Sequence, residues 1–285
     1  MKAVVACISY GLGNQLMQFA AGYSLARRLE CSLDLDIAWF DQDPGTTAAR
    51  SLLVTRIVPE NSFRRLLHYS RWNLFRDRIR RGFALSIRHP YRHGVPMWNP
   101  RVHQWTSVAD LSTPVCIVGV PGCKDALYDR RKEIFEIVSD GLGKAASVAT
   151  PTEEYAFVHV RLGDFVSSPH VKAKMVQLSR DYYKEAMRRY EAKNGKARWI
   201  LLSDEPDKAL EKIPREFSVE LGHGQSEIDD LFLMSRSSGG VTANSTFSLW
   251  GGLLAEHNGG TVIAPTTWRE DQRTAPTLPD TWMRA

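Results

Sequence analysis

The sequence contains no apolar run near the ~20 residues that a membrane-spanning helix requires. Its start is also unlike a secretory signal peptide, because the apolar stretch before Gly11 is too short. We therefore expect a cytoplasmic protein without a membrane anchor.

Cysteine is scarce, and the four that occur are far apart in the chain. They are Cys7, Cys31, Cys116 and Cys123, and only the last two come near a metal-ligand spacing. Isolated cysteines are typical of buried free thiols in a reducing compartment. The pattern therefore favours free thiols over a disulfide framework.

Acidic residues are nearly absent between Asn61 and His93, where nine arginines accompany the single acid Asp77. Broken amphipathic patterns there predict helices whose arginines form a solvated surface. The alternative is peripheral contact of Arg64–Arg92 with an anionic membrane or with a pyrophosphate-linked acceptor. No nucleic-acid fold signature accompanies the arginines, so nucleic acid is not expected as a partner.

What the chain does contain is enough apolar residues for a sizeable core. It has 285 residues, of which 43% are hydrophobic, and this excludes a disordered protein. The length suits two α/β domains of about 140 residues each, or one large domain. The net charge of +5 suits an anionic ligand such as a nucleotide sugar.

The first forty residues predict an α/β unit. A strand, a glycine turn capped by Asn14, a helix and a half-exposed strand follow one another at residues 3–9, 11–14, 15–29 and 33–37. This order is that of a dinucleotide-binding unit and keeps a nicotinamide-dependent enzyme open as an alternative. The third glycine of that fingerprint would fall at Leu16, so the match is weak.

A buried strand at residues 155–159 ends in a polar exit that carries His159, Arg161, Gly163 and Asp164. In open α/β sheets, ligands bind beyond the carboxyl ends of the strands. A guanidinium there can bind two oxygens of a phosphate. The pattern is equally consistent with an Arg–Asp ion pair that closes a turn.

Two further strand exits in the second half carry polar side chains. The strand at residues 198–203 delivers Ser203 and Asp204, and a polar turn over 244–247 opens a helix that runs to His257. The unpaired amides at such a helix start, with nearby hydroxyls, bind phosphate without a lysine. A simple N-cap cluster is the alternative for this turn.

Three of these segments resemble the α-1,2-fucosyltransferases, glycosyltransferase family 11. Residues 159–165 resemble the family's His-x-Arg-Arg-Gly-Asp-Tyr motif, with Leu162 in place of the second arginine. Residues 11–20 resemble its Gly-Leu-Gly-Asn-Gln opening, with Tyr10 where the family has a further glycine. Residues 243–251 resemble its Ala-Asn-Ser-(Ser/Thr)-Phe-Ser-x-Trp segment, and the three occur in the family's order.

The resemblance implies a GT-B fold, an α/β architecture in which two Rossmann-like domains face each other across a cleft. Residues 1–145 would form the acceptor-side domain and residues 150–265 the GDP-sugar-binding domain, joined by a linker. Residues 266–285 would pack back on the N-terminal domain.

The resemblance also assigns residues to the site. Those expected to bind the donor are His159, Arg161, Ser203, Asp204, Asn244, Ser245, Thr246 and Phe247. Those expected to act in catalysis are Arg161 and Asp164. Those expected on the acceptor side of the cleft are Gly13, Asn14 and Gln15.

By the same resemblance the protein is an inverting galactoside 2-α-L-fucosyltransferase. It would transfer fucose from GDP-β-L-fucose to the 2-hydroxyl of a galactoside in a glycan, free or lipid-linked. The nearest alternative keeps the mechanism and changes the donor to another GDP-6-deoxyhexose such as colitose. The others are a nicotinamide-dependent enzyme and a basic membrane- or polysaccharide-binding protein.

We expect neither a metal nor a cofactor. Arg161 and the amides of residues 244–247 would neutralise the leaving phosphate in place of a divalent ion. Asp34 and Asp36 lie within a predicted strand and point to one face, which suits a chelate poorly. The sequence leaves the general base open between Asp164 and an acid of the first domain.

Overall fold

The computed structural model describes residues 3–41, 50–67, 91–92, 95–98, 115–117, 127–270 and 278–285. The chain divides into two compact units, Met1–Ile137 and Val138–Ala285. Each unit contains a six-stranded sheet with helices. The predicted α/β fold with two Rossmann-like domains is therefore confirmed, and the cleft between them stays a prediction.

The sheet of the N-terminal unit has the strand order β3-β2-β1-β6-β5-β4. Its strands are β1 (Ala3–Cys7), β2 (Ser32–Asp36), β3 (Arg65–Leu67), β4 (Tyr91–Arg92), β5 (Val95–Trp98) and β6 (Val115–Ile117). Neighbouring strands are parallel except β4 and β5. Its described helices are α1 (Leu12–Arg28) and α2 (Val54–Ile57), followed by a 3-10 turn (Glu60–Ser62).

Two sequence predictions for this unit are wrong. Helix α1 begins at Leu12 with Gly11 at the N-cap position, so Asn14 lies in the first turn and does not cap the helix. Strand β2 is not half-exposed, because Asp34 and Asp36 are both about 1% exposed. Asp34 is neutralised by Arg64, whose Nη2 lies 2.6 Å from Asp34 Oδ2.

Helix α3 (Arg131–Ala145) crosses the boundary between the two units. The sequence predicts that this helix ends at residue 138 and that a linker covers residues 139–151. The helix instead continues for two more turns, because Leu142 extends its buried apolar face. Gly141 and Gly143 lie within this helix, which tolerates each glycine at a cost of about 1 kcal/mol.

The sheet of the C-terminal unit has the order β9-β8-β7-β10-β11-β12, and all its neighbouring strands are parallel. This is the 3-2-1-4-5-6 order of a Rossmann fold. The strands are β7 (Ala156–Val160), β8 (Trp199–Ser203), β9 (Val219–Leu221), β10 (Gly239–Val241), β11 (Thr261–Ala264) and β12 (Met283–Arg284). The helices are α4 (Gly163–Ser167), α5 (Pro169–Lys172), α6 (Arg180–Asn194), α7 (Pro206–Leu210), α8 (Glu227–Arg236) and α9 (Thr246–His257).

Strand β10 can sit between β7 and β11 only because it begins with two glycines. Gly239 has φ +113°, and a Cβ there would lie 1.9 Å from the Thr261 carbonyl oxygen. At Gly240 a Cβ would lie 2.0 Å from the Phe157 oxygen. The close approach brings the end of β10 beside that of β7, which are the two strands that carry the site.

The described part of residues 266–285 joins the C-terminal sheet, and packing of this segment on the N-terminal domain stays a prediction. Strand β12 pairs in parallel with β11 and so extends the C-terminal sheet. The Thr266 amide donates to the Ala285 carbonyl at 3.0 Å. The ring of Trp282 packs where a Cβ on Gly252 would be, 2.5 Å from the nearest ring carbon. The tail therefore completes the C-terminal sheet.

Most of the arginine-rich stretch lies outside the described residues. The described part near its start is the 3-10 turn and strand β3, not the predicted helix. Within the described ranges, no helix has the length and apolarity needed to cross a membrane. Contact of Arg64–Arg92 with a membrane stays a prediction.

Candidate active site

Arg161 directly follows β7, and carboxylates hold its guanidinium from two sides. Its Nη1 lies 2.9 Å from Asp204 Oδ2, and its Nη2 contacts Asp164. The Phe165 ring lies close by, with its centroid 5.6 Å from the guanidinium carbon. The ion pair that the sequence allowed is thus present, and it fixes a cation at the carboxyl edge of the sheet.

Asp204 comes from the exit of the neighbouring strand β8 and binds the same turn through both oxygens. Its Oδ1 accepts a hydrogen bond from the Leu162 amide at 3.0 Å, while Oδ2 faces Arg161. A Cβ on Gly163 would lie 2.3 Å from Oδ2. Glycine is therefore required at position 163 to admit the carboxylate, and not to provide a left-handed turn.

Ser203 precedes Asp204 and stabilises the same exit. Its Oγ accepts from the Glu205 amide at 3.1 Å, a short-range bond typical of serine turns. The Ser203 hydroxyl therefore stabilises the backbone that carries Asp204. The sequence predicts donor binding for Ser203 and does not predict this structural role.

His159 lies within β7 and is 3% exposed. Its Nδ1 has no hydrogen-bond partner among the described residues. Burial, and secondarily the charge of Arg161, lower the pKa of His159 to about 3. The imidazole is therefore neutral near pH 7. Buried polar atoms are seldom left unpaired, so the Nδ1 atom of His159 is a candidate for a hydrogen bond with a ligand.

Helix α9 begins beside this histidine. The Ser245 Oγ accepts from the Ser248 amide at 3.1 Å, so Ser245 is the N-cap. The amide of Phe247 belongs to the first turn, where the helix itself supplies no acceptor. The Phe247 ring contacts the His159 ring, with centroids 5.5 Å apart. The start of α9 and the exit of β7 therefore lie together.

Asn244 has a structural role that the sequence did not reveal. Its side-chain amide donates to the carbonyl oxygens of Val176 and Trp268, each at 2.9 Å. Both donors are used, so only the side-chain oxygen could serve a ligand. Asn244 ties two loops to the start of α9.

The prediction that Gln15 faces an acceptor is wrong. Gln15 is completely buried, and its Nε2 donates to the carbonyls of Tyr10 and Ser51, both at 2.8 Å. Its Oε1 accepts from the amides of Leu53 and Val54 at 2.9 and 3.0 Å. All four hydrogen bonds of the side chain are therefore made within the protein.

Gly13 and Asn14, which precede Gln15 in the chain, differ from each other in burial. Gly13 is buried in the first turn of α1. Asn14 is partly exposed, and its backbone amide donates to the Gly11 carbonyl at 3.0 Å. Acceptor contact of Gly13 and Asn14 stays a prediction.

Sequence reasoning missed Asp230, which follows Asp229 in α8. Burial and the charges of Asp229 and Glu227 raise the pKa of Asp230 to about 7. Adjacent acids near a helix start were the available signal. Asp229 itself accepts from the Ser147 amide at 2.7 Å and so ties the segment after α3 to α8.

A guanidinium and a helix N-terminus at the carboxyl edge of a Rossmann-like sheet are the elements of an anion-binding site. In the part of the chain that the structure describes, no cluster of three or more His, Cys, Asp or Glu side chains could hold a metal ion. The residues described at this edge combine the guanidinium of Arg161, which the carboxylates of Asp164 and Asp204 flank, with the N-terminus of α9.

Comparison with known proteins assigns this α/β chain to a family. The model of "Glycosyl transferase family 11" matches residues 118–283, a span that contains the whole candidate site. The chain belongs to glycosyl transferase family 11 and is a glycosyltransferase. The nicotinamide-dependent alternative is thereby set aside.

Two curated relatives from Escherichia coli match along nearly their whole length. The O-antigen biosynthesis glycosyltransferase WbnK is 24% identical over 312 residues, covering 97% of this chain and 98% of the relative. An alpha-1,2-colitosyltransferase is 24% identical over 298 residues, covering 100% and 99%. Among solved structures, the fucosyltransferase NodZ from Bradyrhizobium matches with a TM-score of 0.47 and 15% identity, covering 89% of this chain and 92% of NodZ.

Proposed function

We propose that the protein is an inverting galactoside 2-α-L-fucosyltransferase that uses GDP-β-L-fucose. The observation that carries the proposal is the meeting of the β7 exit with the start of α9 through His159 and Phe247. This contact brings a fixed guanidinium and a helix N-terminus to neighbouring strand ends. Such a pair suits the two phosphates of a nucleotide diphosphate.

The chemistry of the leaving group explains why these residue types are needed. Breaking the bond between C1 of fucose and the β-phosphate builds negative charge on that phosphate. Arg161 and the first amides of α9 would stabilise this charge, and the reaction would then need no divalent ion. Loss of one such group typically slows a reaction about 10²- to 10³-fold.

Asp164 and Asp204 would act through Arg161. Both carboxylates contact its guanidinium, so they restrict it to one position before the donor arrives. Preorganised charges stabilise a transition state without reorganisation at the moment of reaction. This positioning role differs from the direct donor contact expected of Asp204 and from the catalytic contact expected of Asp164.

His159 would donate or accept a hydrogen bond as a neutral imidazole. Its buried Nδ1 lies in the strand that leads to Arg161 and next to the Phe247 ring. Because the side chain is already neutral, raising the pH removes no positive charge from it. Donor binding through His159 would therefore be insensitive to pH between about 5 and 8.

A second donor, GDP-colitose, is supported by the alpha-1,2-colitosyltransferase relative, which matches the whole chain at 24% identity. Fucose and colitose are both 6-deoxyhexoses, and they differ at the hydroxyl on C3. The site residues described above would bind the nucleotide part, which the two donors share, so they suit either donor.

The test is transfer from GDP-fucose and from GDP-colitose, in parallel, to lactose and to methyl β-D-galactopyranoside in the presence of EDTA. We expect an α-1,2-linked product whose anomeric configuration is inverted relative to the donor, formed about 10²- to 10³-fold more slowly by Arg161→Ala. Transfer from GDP-colitose alone would favour the second candidate. Transfer that requires Mg²⁺ or Mn²⁺ would contradict metal independence.

A further inference from the structure

Tyr10 has a backbone conformation that is unusual for its residue type. Its φ is +67°, and among the described residues Glu30 is the other non-glycine residue with positive φ. Glu30 follows the C-terminus of α1, where a left-handed residue is common. Tyr10 instead precedes the N-terminus of that helix, and a bulky residue with positive φ there is a genuine outlier.

The unusual backbone presents an aromatic ring to solvent. The Tyr10 side chain is 50% exposed, and its ring lies 5.3 Å from that of Trp39 with the planes at 49°. The Trp39 ring is in turn contacted edge-on by Phe40 at 5.0 Å. We call Tyr10 and Trp39 the aromatic corner.

The aromatic corner lies at the carboxyl edge of the N-terminal sheet. Tyr10 follows β1 and Trp39 follows β2, and these two strands are parallel neighbours. This is the edge at which open α/β sheets bind ligands. Gln15 stabilises the backbone of the corner, because its Nε2 donates to the Tyr10 carbonyl at 2.8 Å.

The chain retains a tyrosine where a glycine would relax the backbone. Strained backbone that persists is concentrated at active sites and ligand clamps. The exposed Tyr10 ring and the partly buried Trp39 ring meet at an angle and offer an apolar surface with the Tyr10 hydroxyl as a polar handle. Such a surface fits the C–H face of a hexose ring, of which galactose has a continuous one across C3, C4 and C5.

We infer that the aromatic corner of Tyr10 and Trp39 binds a sugar ring of the glycan acceptor. The inference rests on the proposed function for the identity of that glycan. It assigns acceptor binding to Tyr10, in place of the fully bonded Gln15. It also gives the family departure at position 10 a role in choosing the acceptor.

The test is saturation-transfer NMR with methyl β-D-galactopyranoside on the wild type and on three variants. Tyr10→Asn removes the ring but tolerates the left-handed backbone, and Tyr10→Phe keeps the ring as the matched control. Trp39→Leu removes the other wall. We expect transfer from aromatic protons to H3, H4 and H5 of the sugar in the wild type and in Tyr10→Phe, and a three- to tenfold weaker signal in the other two.

Folding and donor binding are measured on the same samples. We expect unchanged GDP affinity in all variants, so a failure of the proposed function would appear as absent GDP binding in the wild type. No sugar signal in the wild type, or an equal signal in Tyr10→Asn, would overturn the inference even where GDP binds. Where transfer activity is measurable, the acceptor KM should rise in Tyr10→Asn while kcat changes little.

Discussion

The carboxylate of Asp204 lies 2.9 Å from the guanidinium of Arg161 and also accepts the Leu162 amide at 3.0 Å. One side chain from β8 therefore determines both the turn after β7 and the position of its cation. This double contact is possible because residue 163 has no side chain. Several consequences of this arrangement can be measured.

Replacing Gly163 by alanine should disturb both the turn and the cation. The added Cβ would lie 2.3 Å from Asp204 Oδ2, so the carboxylate must move. We expect a loss of about 1–2 kcal/mol in the free energy of unfolding and at least a tenfold weaker affinity for GDP. The matched control is Gly143→Ala, whose Cβ would meet Arg236 at an ordinary 3.5 Å. Unchanged GDP affinity in Gly163→Ala would contradict the account of Asp204.

Gln15 should matter for stability and not for ligand binding. Replacing it by leucine leaves four backbone groups, of Tyr10, Ser51, Leu53 and Val54, without their side-chain partner. We expect a loss of about 2–4 kcal/mol in the free energy of unfolding, measured by urea denaturation, with GDP affinity unchanged in the folded fraction. Exposed Gln225→Leu serves as the control. A stable Gln15→Leu with impaired acceptor binding would restore the original prediction for this residue.

His159 should lower stability in acid. Its pKa is about 3 in the folded protein and near 6.5 when unfolded, so unfolding takes up a proton at low pH. Its contribution is present in full above about pH 6.5 and is lost progressively as the pH falls toward 3. Compared with His159→Gln, the wild type should lose more stability between pH 7 and 5. An imidazole NMR signal of His159 that titrates near pH 6.5 would refute the burial argument.

Asp230 should make the protein less stable as the pH rises, which is opposite to the effect of His159. Its pKa is about 7 in the folded protein, above the ordinary 3.8, so the folded state holds a proton that the unfolded state releases. The stability that it contributes is complete below about pH 4 and is lost as the pH rises through 7. Asp230→Asn should therefore be more stable than the wild type at pH 8, by more than about 1 kcal/mol, with the difference shrinking toward pH 4. The matched surface control is Asp140→Asn, which removes an exposed carboxylate beside Lys144.

The sequence predicts well where local chemistry decides the structure. The polar turn at residues 244–247 opens a helix as predicted, and its cap at Ser245 rests on a short-range hydrogen bond. The parallel strands that surround the site are found because they are short, apolar and bounded by polar exits. Arg161 directly follows β7 as predicted, whereas His159 lies inside the strand and not at its exit.

The prediction fails where a contact joins distant parts of the chain. Gln15 resembles a ligand-facing residue until the segment at Leu53 folds over it. The local sequence predicts that Asp204 binds the donor, whereas in the structure its two oxygens contact the Leu162 amide and Arg161 in the turn after β7. The tail joins the C-terminal sheet through β12, a two-residue strand too short to show a periodic pattern. Local patterns carry no information on such pairings.

The most direct test of the central claim is calorimetric titration with GDP in the presence of EDTA. The samples are the wild type, Arg161→Ala, Arg161→Lys and the surface control Arg188→Ala, whose guanidinium binds exposed Glu216. We predict micromolar binding to the wild type and the control, a ten- to hundredfold loss in Arg161→Ala, and partial recovery in Arg161→Lys. Equal affinity of Arg161→Ala and the wild type, or wild-type binding that EDTA abolishes, would contradict a metal-free nucleotide site built on Arg161.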